Sequence, residues 1–214
     1  MNKVAEVSMF EDRKDAGRKL GKALDAYKQH DSIVLAIPKG GVEVAYYVAR
    51  RLQIPLSMVV VRKLPLPANP EAGFGAIVED GSIFLVDRAA ALSPDVLQRI
   101  LAEQKQEIDR RIDVLREGKP LPAMTGRTAI LVDDGIAMGS TMQAAIMLCR
   151  DKKAKKIVVA SPVAGPAAAS ALAEVVDEIV ILEKPAFFRA VAEVYENWYD
   201  VPDAEVIDIM RKTR

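Results

Sequence analysis

Two adjacent carboxylates followed by a loop of small residues form the part of the sequence whose residue types could do chemistry. Asp133 and Asp134 follow the apolar run 129–132, and the loop 135–141 leads into the helical pattern 142–148. Carboxylates at the end of a buried strand can accept hydrogen bonds from two neighbouring sugar hydroxyls. Glycine and serine in the loop allow backbone N–H groups to surround a phosphate at the N-terminus of a helix. The spacing of these groups suits a ribose 5-phosphate.

An alternative interpretation treats the same segment as an ordinary turn between a strand and a helix. Asp and Gly are common turn residues, and Ser140 is a reasonable N-cap for the helix that follows. Two other nucleotide-binding patterns are missing from the sequence: there is no Gly-x-x-x-x-Gly-Lys-Ser/Thr loop, and no Gly-x-Gly-x-x-Gly follows a predicted strand. The sequence therefore argues against ATP hydrolysis and nicotinamide binding.

A second strand, turn and helix follow in the same order near the N-terminus. The apolar run 32–37 predicts a buried strand, Pro38-Lys39-Gly40-Gly41 interrupts it, and residues 42–52 predict a helix. The turn would present N–H groups, a helix N-terminus and the ammonium group of Lys39 to an anion of pyrophosphate size. The alternative is a Pro-Gly connection with a solvated lysine.

A further pair of cations stands where the next apolar run, 56–61, ends. Arg62 and Lys63 could complete the anion site, or they could be solvated charges that close a strand. Residues 64–75 contain three prolines and two glycines, so we expect a loop here rather than part of the core.

The segment that begins at Asp133 resembles the phosphoribosyl-diphosphate (PRPP) signature of type I phosphoribosyltransferases, in which two acidic residues precede a loop that ends in Gly-x-Thr. The resemblance implies that Asp133 and Asp134 hold the ribose hydroxyls. It also implies that seven consecutive residues hold the 5-phosphate: Gly135, Ile136, Ala137, Met138, Gly139, Ser140 and Thr141. Family members usually carry Thr in place of Met138, so this chain lacks one phosphate-binding hydroxyl.

The same resemblance assigns the turn at 38–41 to the pyrophosphate of PRPP. Lys39, Gly40 and Gly41 would contact it, in a loop that in this family often contains a non-proline cis peptide, here between Pro38 and Lys39. Residues 64–75 resemble the flexible loop that closes over PRPP. Within them, Asn69-Pro70-Glu71 and the following Gly73-Phe74-Gly75-Ala76 resemble a subgroup of uncharacterised phosphoribosyltransferase-like proteins, from about Phe10 to the end of the chain.

The reaction implied by the resemblance is transfer of the phosphoribosyl group of PRPP to a nitrogenous base, with release of pyrophosphate. Magnesium would arrive with PRPP, since the sequence shows no cluster of His, Cys and Asp ligands and thus no direct metal site. Relatives that use 6-oxopurines carry a carboxylate where Ala137 stands, which argues against hypoxanthine or guanine as the acceptor. Two other functions remain open: a PRPP- or nucleotide-binding regulatory protein without turnover, and a hydrolase of a phosphoribosyl compound.

Alternating apolar runs and helical patterns predict the α/β class, with one open, mainly parallel sheet flanked by helices in a single domain over residues 1–214. We expect a β-hairpin formed by 76–78 and 83–86, and a helical insertion over 88–127 that contains a helix from Pro94 to Arg116. The apolar seam of that helix is interrupted at Gln104. It could pack on the body of the domain or on a second copy in a homodimer.

A C-terminal segment, 184–214, is a candidate for the hood that binds the acceptor in this family. Its aromatic residues Phe187, Phe188 and Trp198 could stack on a base. Aromatic residues more often fill cores, so the alternative is that they pack against the rest of the chain. The acceptor itself cannot be named from the sequence.

The charges of the chain cancel, with 30 basic and 30 acidic residues in 214. No global field would attract nucleic acid or an anionic membrane, so we expect small-molecule partners. The segment from Met1 to Arg13 is charged and lacks the apolar stretch of a signal peptide. Cys149 falls on an apolar helix face, as a core cysteine in a reducing compartment would. We therefore expect a cytoplasmic protein.

Overall fold

Helices and strands alternate along the computed structural model, which describes residues 9–87, 89 and 92–213. In chain order the helices are α1 (Arg13–Ala23), α2 (Gly40–Leu52), α3 (Pro94–Arg116), α4 (Ser140–Asp151), α5 (Pro166–Ala173) and α6 (Asp203–Arg211). The strands are β1 (Ser32–Ala36), β2 (Leu56–Met58), β3 (Val61–Leu66), β4 (Asn69–Val78), β5 (Ile83–Leu85), β6 (Thr128–Val132), β7 (Lys156–Val163) and β8 (Glu178–Glu183). Short 3-10 helices lie at Asp25–Tyr27 and Val191–Val194.

Five strands form a parallel central sheet in the order β2-β1-β6-β7-β8. These strands are nearly continuous apolar runs because helices cover both faces of the sheet. On one face Ile33 and Leu35 pack with residues of α4 and α5, whereas Val34 on the other face packs with residues of α1, α2 and α6. The predicted α/β class, with a mainly parallel sheet flanked by helices, is confirmed.

The two strands that lead into the predicted ribose and pyrophosphate loops are neighbours. β1 and β6 pair from Ser32 opposite Thr128 to Ala36 opposite Val132, so their carboxyl ends meet at one edge of the sheet. The strand order also reverses between them, because β2 lies beyond β1 and β7 lies beyond β6. Open α/β sheets bind ligands at such a switch point.

A second sheet of three antiparallel strands, β3-β4-β5, occupies the stretch where a loop was expected over residues 64–75. The loop prediction is wrong because Leu64 and Phe74 are fully buried in a cluster with residues of α3, which holds their strands in place. A shift of register accommodates Pro65, and Pro67 lies in the turn between β3 and β4. The hairpin predicted after Gly75 is confirmed by the antiparallel pairing of β4 with β5.

Helix α3 has the bounds that the sequence predicts, and it packs on the antiparallel sheet through Ile100 and Ile108. Gln104, which interrupts its apolar seam, accepts a hydrogen bond from Nε of Arg62 at 3.0 Å. The polar residue thus pairs with a cation on β3.

The predicted insertion begins at residue 88, which lies outside the described residues. Within the described ranges, no helix is both long and apolar enough to cross a membrane.

A buried ion pair ties the end of α3 to both sheets. Arg116 and Glu79 form a salt bridge in which the two side chains are 6% and 9% exposed. The Arg116 guanidinium also donates to the carbonyl oxygen of Met58 at 3.0 Å, and the Glu79 carboxylate accepts a hydrogen bond from the N–H of Val60 at 3.0 Å. These contacts fix α3 to β2 and to the hairpin of β4 and β5.

We expect Arg116→Gln to lower the free energy of unfolding by about 3–5 kcal/mol, because the Glu79 carboxylate would stay buried without its cation. Arg51 forms an exposed pair with Asp25 and provides a matched control, so Arg51→Gln should leave the stability nearly unchanged. Urea denaturation of both variants measures the difference. Equal losses of stability in the two variants would contradict the role given to the buried pair.

Candidate functional site

The carboxyl end of β6 opens into a cavity of about 780 Å³. Its wall is formed mainly by the loop between β6 and α4, with contributions from the antiparallel sheet and the C-terminal segment. The lining residues are Lys63, Ala72, Gly73, Val86, Asp87, Asp133, Gly135, Ile136, Ala137, Met138, Gly139, Ser140, Thr141, Met142, Arg189 and Val191. The structure therefore brings together all the predicted ribose and 5-phosphate residues except Asp134.

The loop 135–141 is anchored to the central sheet near its start. The N–H of Ile136 donates to the carbonyl oxygen of Val163, and the N–H of Gly165 donates to the carbonyl oxygen of Ile136, both at 2.9 Å. The side chain of Ile136 is also buried in the core. The N–H group of Ile136 is thus already used by the sheet, although the residue also lies on the cavity wall, and its phosphate contact stays a prediction.

The second half of the loop presents groups suited to an anion. Helix α4 begins at Ser140, after Gly139 at φ 81°, a left-handed conformation that glycine adopts without strain. N–H groups in the first turn of a helix have no acceptor within the helix, and the helix dipole favours negative charge there. The hydroxyls of Ser140 and Thr141 lie on the same wall, with the side chain of Met138 74% exposed beside them. This arrangement can bind a phosphate.

The turn at 38–41 packs directly against the acidic pair. A Cβ atom on Gly40 would lie 1.8 Å from Oδ2 of Asp134, and one on Gly41 would lie 2.9 Å from the carbonyl oxygen of Val132. There is no room for a side chain at either position, so the contact between the two loops requires the Gly-Gly pair. The peptide bond between Pro38 and Lys39 is cis, which confirms that prediction.

Asp133 is the member of the acidic pair that lines the cavity. Its Oδ1 accepts a hydrogen bond from the N–H of Asp134 at 2.9 Å. Burial raises the pKa of Asp133 well above its usual value, and the neighbouring negative charge of Asp134 raises it further. The position fits the predicted contact between this carboxylate and the ribose hydroxyls.

Asp134 has a different environment. Its Oδ2 accepts a hydrogen bond from Nε of Arg13 at 2.8 Å, and the Arg13 side chain is only 3% exposed. Another guanidinium nitrogen of Arg13 donates to the carbonyl oxygen of Tyr199 at 3.0 Å, and the guanidinium lies 4.0 Å from the ring centre of Trp198. Asp134 does not line the cavity. The contact of Asp134 with the ribose hydroxyls stays a prediction, whereas its contact with Arg13 is shown.

The three predicted cations of the pyrophosphate site point in different directions. Lys63 lines the cavity. Arg62 bonds to Gln104 of α3 instead, and burial lowers the pKa of its guanidinium. Neighbouring residues of a strand face opposite sides, so Arg62 does not join Lys63 at the cavity as predicted. The Nζ of Lys39 lies 3.7 Å from the carboxylate of Asp203 at the start of α6.

The C-terminal segment reaches the cavity through Arg189 and Val191 rather than through the predicted aromatic residues. Phe187 is 92% exposed, and Phe188 packs against a hydrophobic cluster beneath the segment. Trp198 covers the guanidinium of Arg13, so its ring is used within the protein. Trp198 thus supports the acidic pair, and a stacking role for its ring, which is 37% exposed, stays a prediction.

Sequence reasoning missed three residues of this site: Arg13, Asp87 and Arg189. Arg13 had a detectable signal, because it stands in the register of the apolar face of α1 with Ala16 and Leu20. A charge at such a position needs a buried partner. Asp87 and Arg189 had no such signal in the sequence. They lie at the cavity because the antiparallel sheet and the C-terminal segment pack beside β6.

The polar groups on the cavity wall include several that suit phosphate oxygens. In the part of the chain that the structure describes, no group of three or more His, Cys, Asp or Glu side chains could hold a metal ion. The wall offers N–H groups, hydroxyls and the cations of Lys63 and Arg189, which suit phosphate oxygens, together with the carboxylates of Asp87 and Asp133. Magnesium commonly keeps several waters and binds through substrate phosphates, and this wall is compatible with that mode.

We expect Asp133→Asn to raise the free energy of unfolding at neutral pH. The pKa of Asp133 is higher in the folded state than in the unfolded state, so ionisation opposes folding once the pH exceeds the unfolded-state pKa. This gain in the free energy of unfolding should be absent at about pH 3, where Asp133 is protonated in both states. It should grow as the pH rises from the unfolded-state pKa to the folded-state pKa and stay constant above that range. Urea denaturation across this range measures it, with the exposed Asp151→Asn as control. An Asn variant less stable than the wild type at about pH 8 would contradict the expectation.

Comparisons with known sequences agree with this geometry. The sequence profile of the phosphoribosyl transferase domain matches residues 7–196. Two proteins from Mycobacterium tuberculosis, one from strain CDC 1551 and one from strain H37Rv, are provisionally named phosphoribosyl transferases and are 41% identical over 204 residues. The match covers 94% of this chain and 46% of each relative, so the chain spans about half the length of these curated relatives.

Comparisons with solved structures show that the fold is known. TT1426 from Thermus thermophilus is 38% identical, with a TM-score of 0.80 over 95% of this chain and 98% of its own. AQ2163 from Aquifex aeolicus, at 10% identity, shares the fold alone, with a TM-score of 0.50 over 79% of this chain and 73% of its own. Because the domain profile spans most of the sequence and the curated relatives match nearly all of it, this chain belongs to the phosphoribosyl transferase family.

Proposed function

We propose that the chain transfers the phosphoribosyl group of PRPP to a nitrogenous base or a related acceptor and releases pyrophosphate. One observation carries the proposal: the Asp133 carboxylate and the N-terminus of α4 lie on the wall of one cavity, at the switch point of the sheet. A ribose phosphate needs both a carboxylate that accepts hydrogen bonds from its hydroxyls and a set of N–H groups for its phosphate. This wall offers both.

The reaction breaks the bond between the anomeric carbon and the pyrophosphate oxygen, and the leaving group keeps the electron pair. The lone pair of an acceptor nitrogen forms the new bond to the same carbon. Asp133 orients the ribose through its hydroxyls, and the first turn of α4, with Ser140 and Thr141, holds the 5-phosphate. Orientation of this kind lowers the barrier without a protein nucleophile. Magnesium brought by PRPP would neutralise part of the negative charge on the leaving pyrophosphate.

The pyrophosphate contacts in this proposal come from Lys63 and the turn at 38–41. Lys63 is a cation on the cavity wall, and Gly40 and Gly41 pack against the acidic pair, beside the expected position of the ribose. Arg189 adds a second cation to the wall. Fixed positive groups around a leaving group that develops negative charge stabilise the transition state more than water does.

A PRPP- or nucleotide-binding regulatory protein without turnover is the second candidate, and Met138 favours it. In the family this position usually carries the hydroxyl of Thr, whereas the Met138 side chain is 74% exposed on the cavity wall. A thioether cannot donate a hydrogen bond to a phosphate oxygen. Loss of this contact would leave a pocket that still binds PRPP but positions its ribose less firmly for transfer.

Release of pyrophosphate from PRPP and magnesium, with and without a panel of purine, pyrimidine and nicotinate-type bases, tests the proposal. Release that requires a base supports transfer, release without a base indicates hydrolysis, and binding without release indicates a regulatory protein. Asp133→Asn is the matched control, and it should weaken PRPP binding by about 1.5–3 kcal/mol because a charged hydrogen-bond acceptor is lost. Undiminished binding and release in this variant would contradict the ribose site.

Replacing Met138 by Thr should tighten the binding of ribose 5-phosphate by about 0.5–1.5 kcal/mol, because the phosphate gains a hydroxyl donor. Met138→Val is the matched control, since Val has nearly the shape of Thr and no hydroxyl. The Met138 side chain is exposed, so neither substitution should change the thermal stability appreciably. Calorimetric titration compares the two variants. Equal affinities would place this side chain outside the shell of the phosphate.

A further inference from the structure

Met138 is the most exposed methionine among the residues that the structure describes. It is 74% exposed, compared with 37% for Met9 and 1% for Met142, which lies four residues later on the same cavity wall. Peroxides oxidise thioethers to sulfoxides, and a thioether in contact with solvent reacts before one that is enclosed in a core. Met138 is therefore the methionine that a peroxide in solution would reach first.

The residues that follow Met138 present hydrogen-bond donors to the cavity. The first backbone hydrogen bond at the start of α4 runs from the N–H of Gln143 to the carbonyl oxygen of Gly139, at 2.8 Å. Over the described ranges, the N–H groups of Ser140 and Thr141 donate to no backbone oxygen, as is usual in the first turn of a helix. Both residues also carry hydroxyls on the cavity wall. Under the proposed function these donors bind the 5-phosphate.

Oxidation changes the hydrogen bonds that the Met138 side chain can form. Its sulfur attacks one oxygen of hydrogen peroxide, so an S–O bond forms, the O–O bond breaks and hydroxide leaves with the bonding electrons. The hydroxide takes the proton of the transferred oxygen and becomes water. Sulfur is thereby oxidised by two electrons, and the peroxide is reduced. The product is a polar side chain with an oxygen that accepts hydrogen bonds, whereas the thioether is only a weak acceptor.

We propose that Met138 is a reversible oxidation site that sets the affinity of the 5-phosphate loop. As the sulfoxide, its oxygen competes with a phosphate for the donors of Ser140 and Thr141 and repels the negative charge of that phosphate. The side chain is unbranched, has three rotatable bonds and stands two residues before α4, so its end can approach the first turn of the helix. The inference rests on the proposed function, which makes the 5-phosphate the ligand of this loop.

Peptide mass spectrometry after brief exposure of the folded protein to hydrogen peroxide tests the site. Trypsin releases residues 128–150 as one peptide that contains Met138, Met142 and Met147, so its fragment ions compare three methionines under identical conditions. Met138 sulfoxide should form about tenfold faster than Met142 sulfoxide, because only Met138 is open to solvent. Saturating ribose 5-phosphate should slow the oxidation of Met138 and leave that of Met9 unchanged. Equal rates for Met138 and Met142 would overturn the assignment.

Calorimetric titration of ribose 5-phosphate measures the effect on binding. The samples are reduced protein, protein treated with peroxide until Met138 is fully converted, and treated protein restored by the two methionine sulfoxide reductases, one for each epimer. The sulfoxide should weaken binding by about tenfold, as expected for the loss of a hydrogen bond to a charged group, and the reductases should restore the affinity. Unchanged affinity of the oxidised protein would overturn the proposal. A loss that persists after Met138 has been reduced would also overturn it.

Two variants locate the effect at Met138. Met138→Leu removes the sulfur and keeps an apolar side chain of similar size, so peroxide should no longer change the affinity of this variant. Met9→Leu removes the next most exposed methionine, which lies outside the cavity wall, and peroxide should still weaken binding about tenfold. Equal losses of affinity in Met138→Leu and the wild type would contradict the proposal. Thermal unfolding establishes that each sample is folded at the temperature of titration.

Failure of this inference and failure of the proposed function give different results. Reduced wild-type protein that binds neither ribose 5-phosphate nor PRPP with magnesium would refute the proposed function. Reduced protein that binds either ligand, with an affinity that the sulfoxide of Met138 leaves unchanged, would refute this inference alone.

Discussion

The parallel pairing of β1 with β6 determines where the groups of the candidate site lie. Because the two strands are in register from Ser32 opposite Thr128 to Ala36 opposite Val132, they end side by side. The turn at 38–41 then meets the acidic pair so closely that a Cβ atom on Gly40 would overlap the Asp134 carboxylate. The Gly-Gly turn and the two aspartates, which look like separate motifs in the sequence, are two sides of one contact between loops.

Local sequence signals were sufficient to predict a strand or a helix where the environment of the segment is uniform along its length. The central strands β1, β6 and β7 are buried on both faces along nearly all of their length, so each of them reads as an apolar run. Helix α3 carries Pro94 in its first turn and ends where Glu117 and Gly118 adopt left-handed conformations. The antiparallel sheet could not be predicted in the same way. Its prolines and glycines indicate a loop, and the burial that overrides them comes from α3, later in the chain.

In the candidate site, too, the residues that could be predicted are consecutive in the sequence, whereas the contacts that could not be predicted join residues far apart in it. Residues 133–141 are consecutive, so their order alone indicated a ribose phosphate site, and the structure places all of them except Asp134 on one cavity wall. The partner of Asp134 lies 121 residues away in the sequence, and the partner of Arg116 lies 37 residues away. A charge in an apolar register shows that a buried partner exists but does not identify it. Similarly, only the pleat of β3 shows that Lys63 faces the cavity while Arg62 faces α3.

Part of the negative charge of the acidic pair is cancelled within the protein, which suits a ligand as negative as the one proposed. PRPP carries phosphate groups on both sides of its ribose, and two ionised carboxylates between them would repel these groups. Arg13 cancels the charge of Asp134 from outside the cavity, where Trp198 shields the guanidinium. Asp133 keeps its capacity to accept hydrogen bonds, while the positive end of α4 and the ammonium group of Lys63 lie on the same wall. The ring of Trp198, in the C-terminal segment, therefore supports the acidic pair through its contact with Arg13.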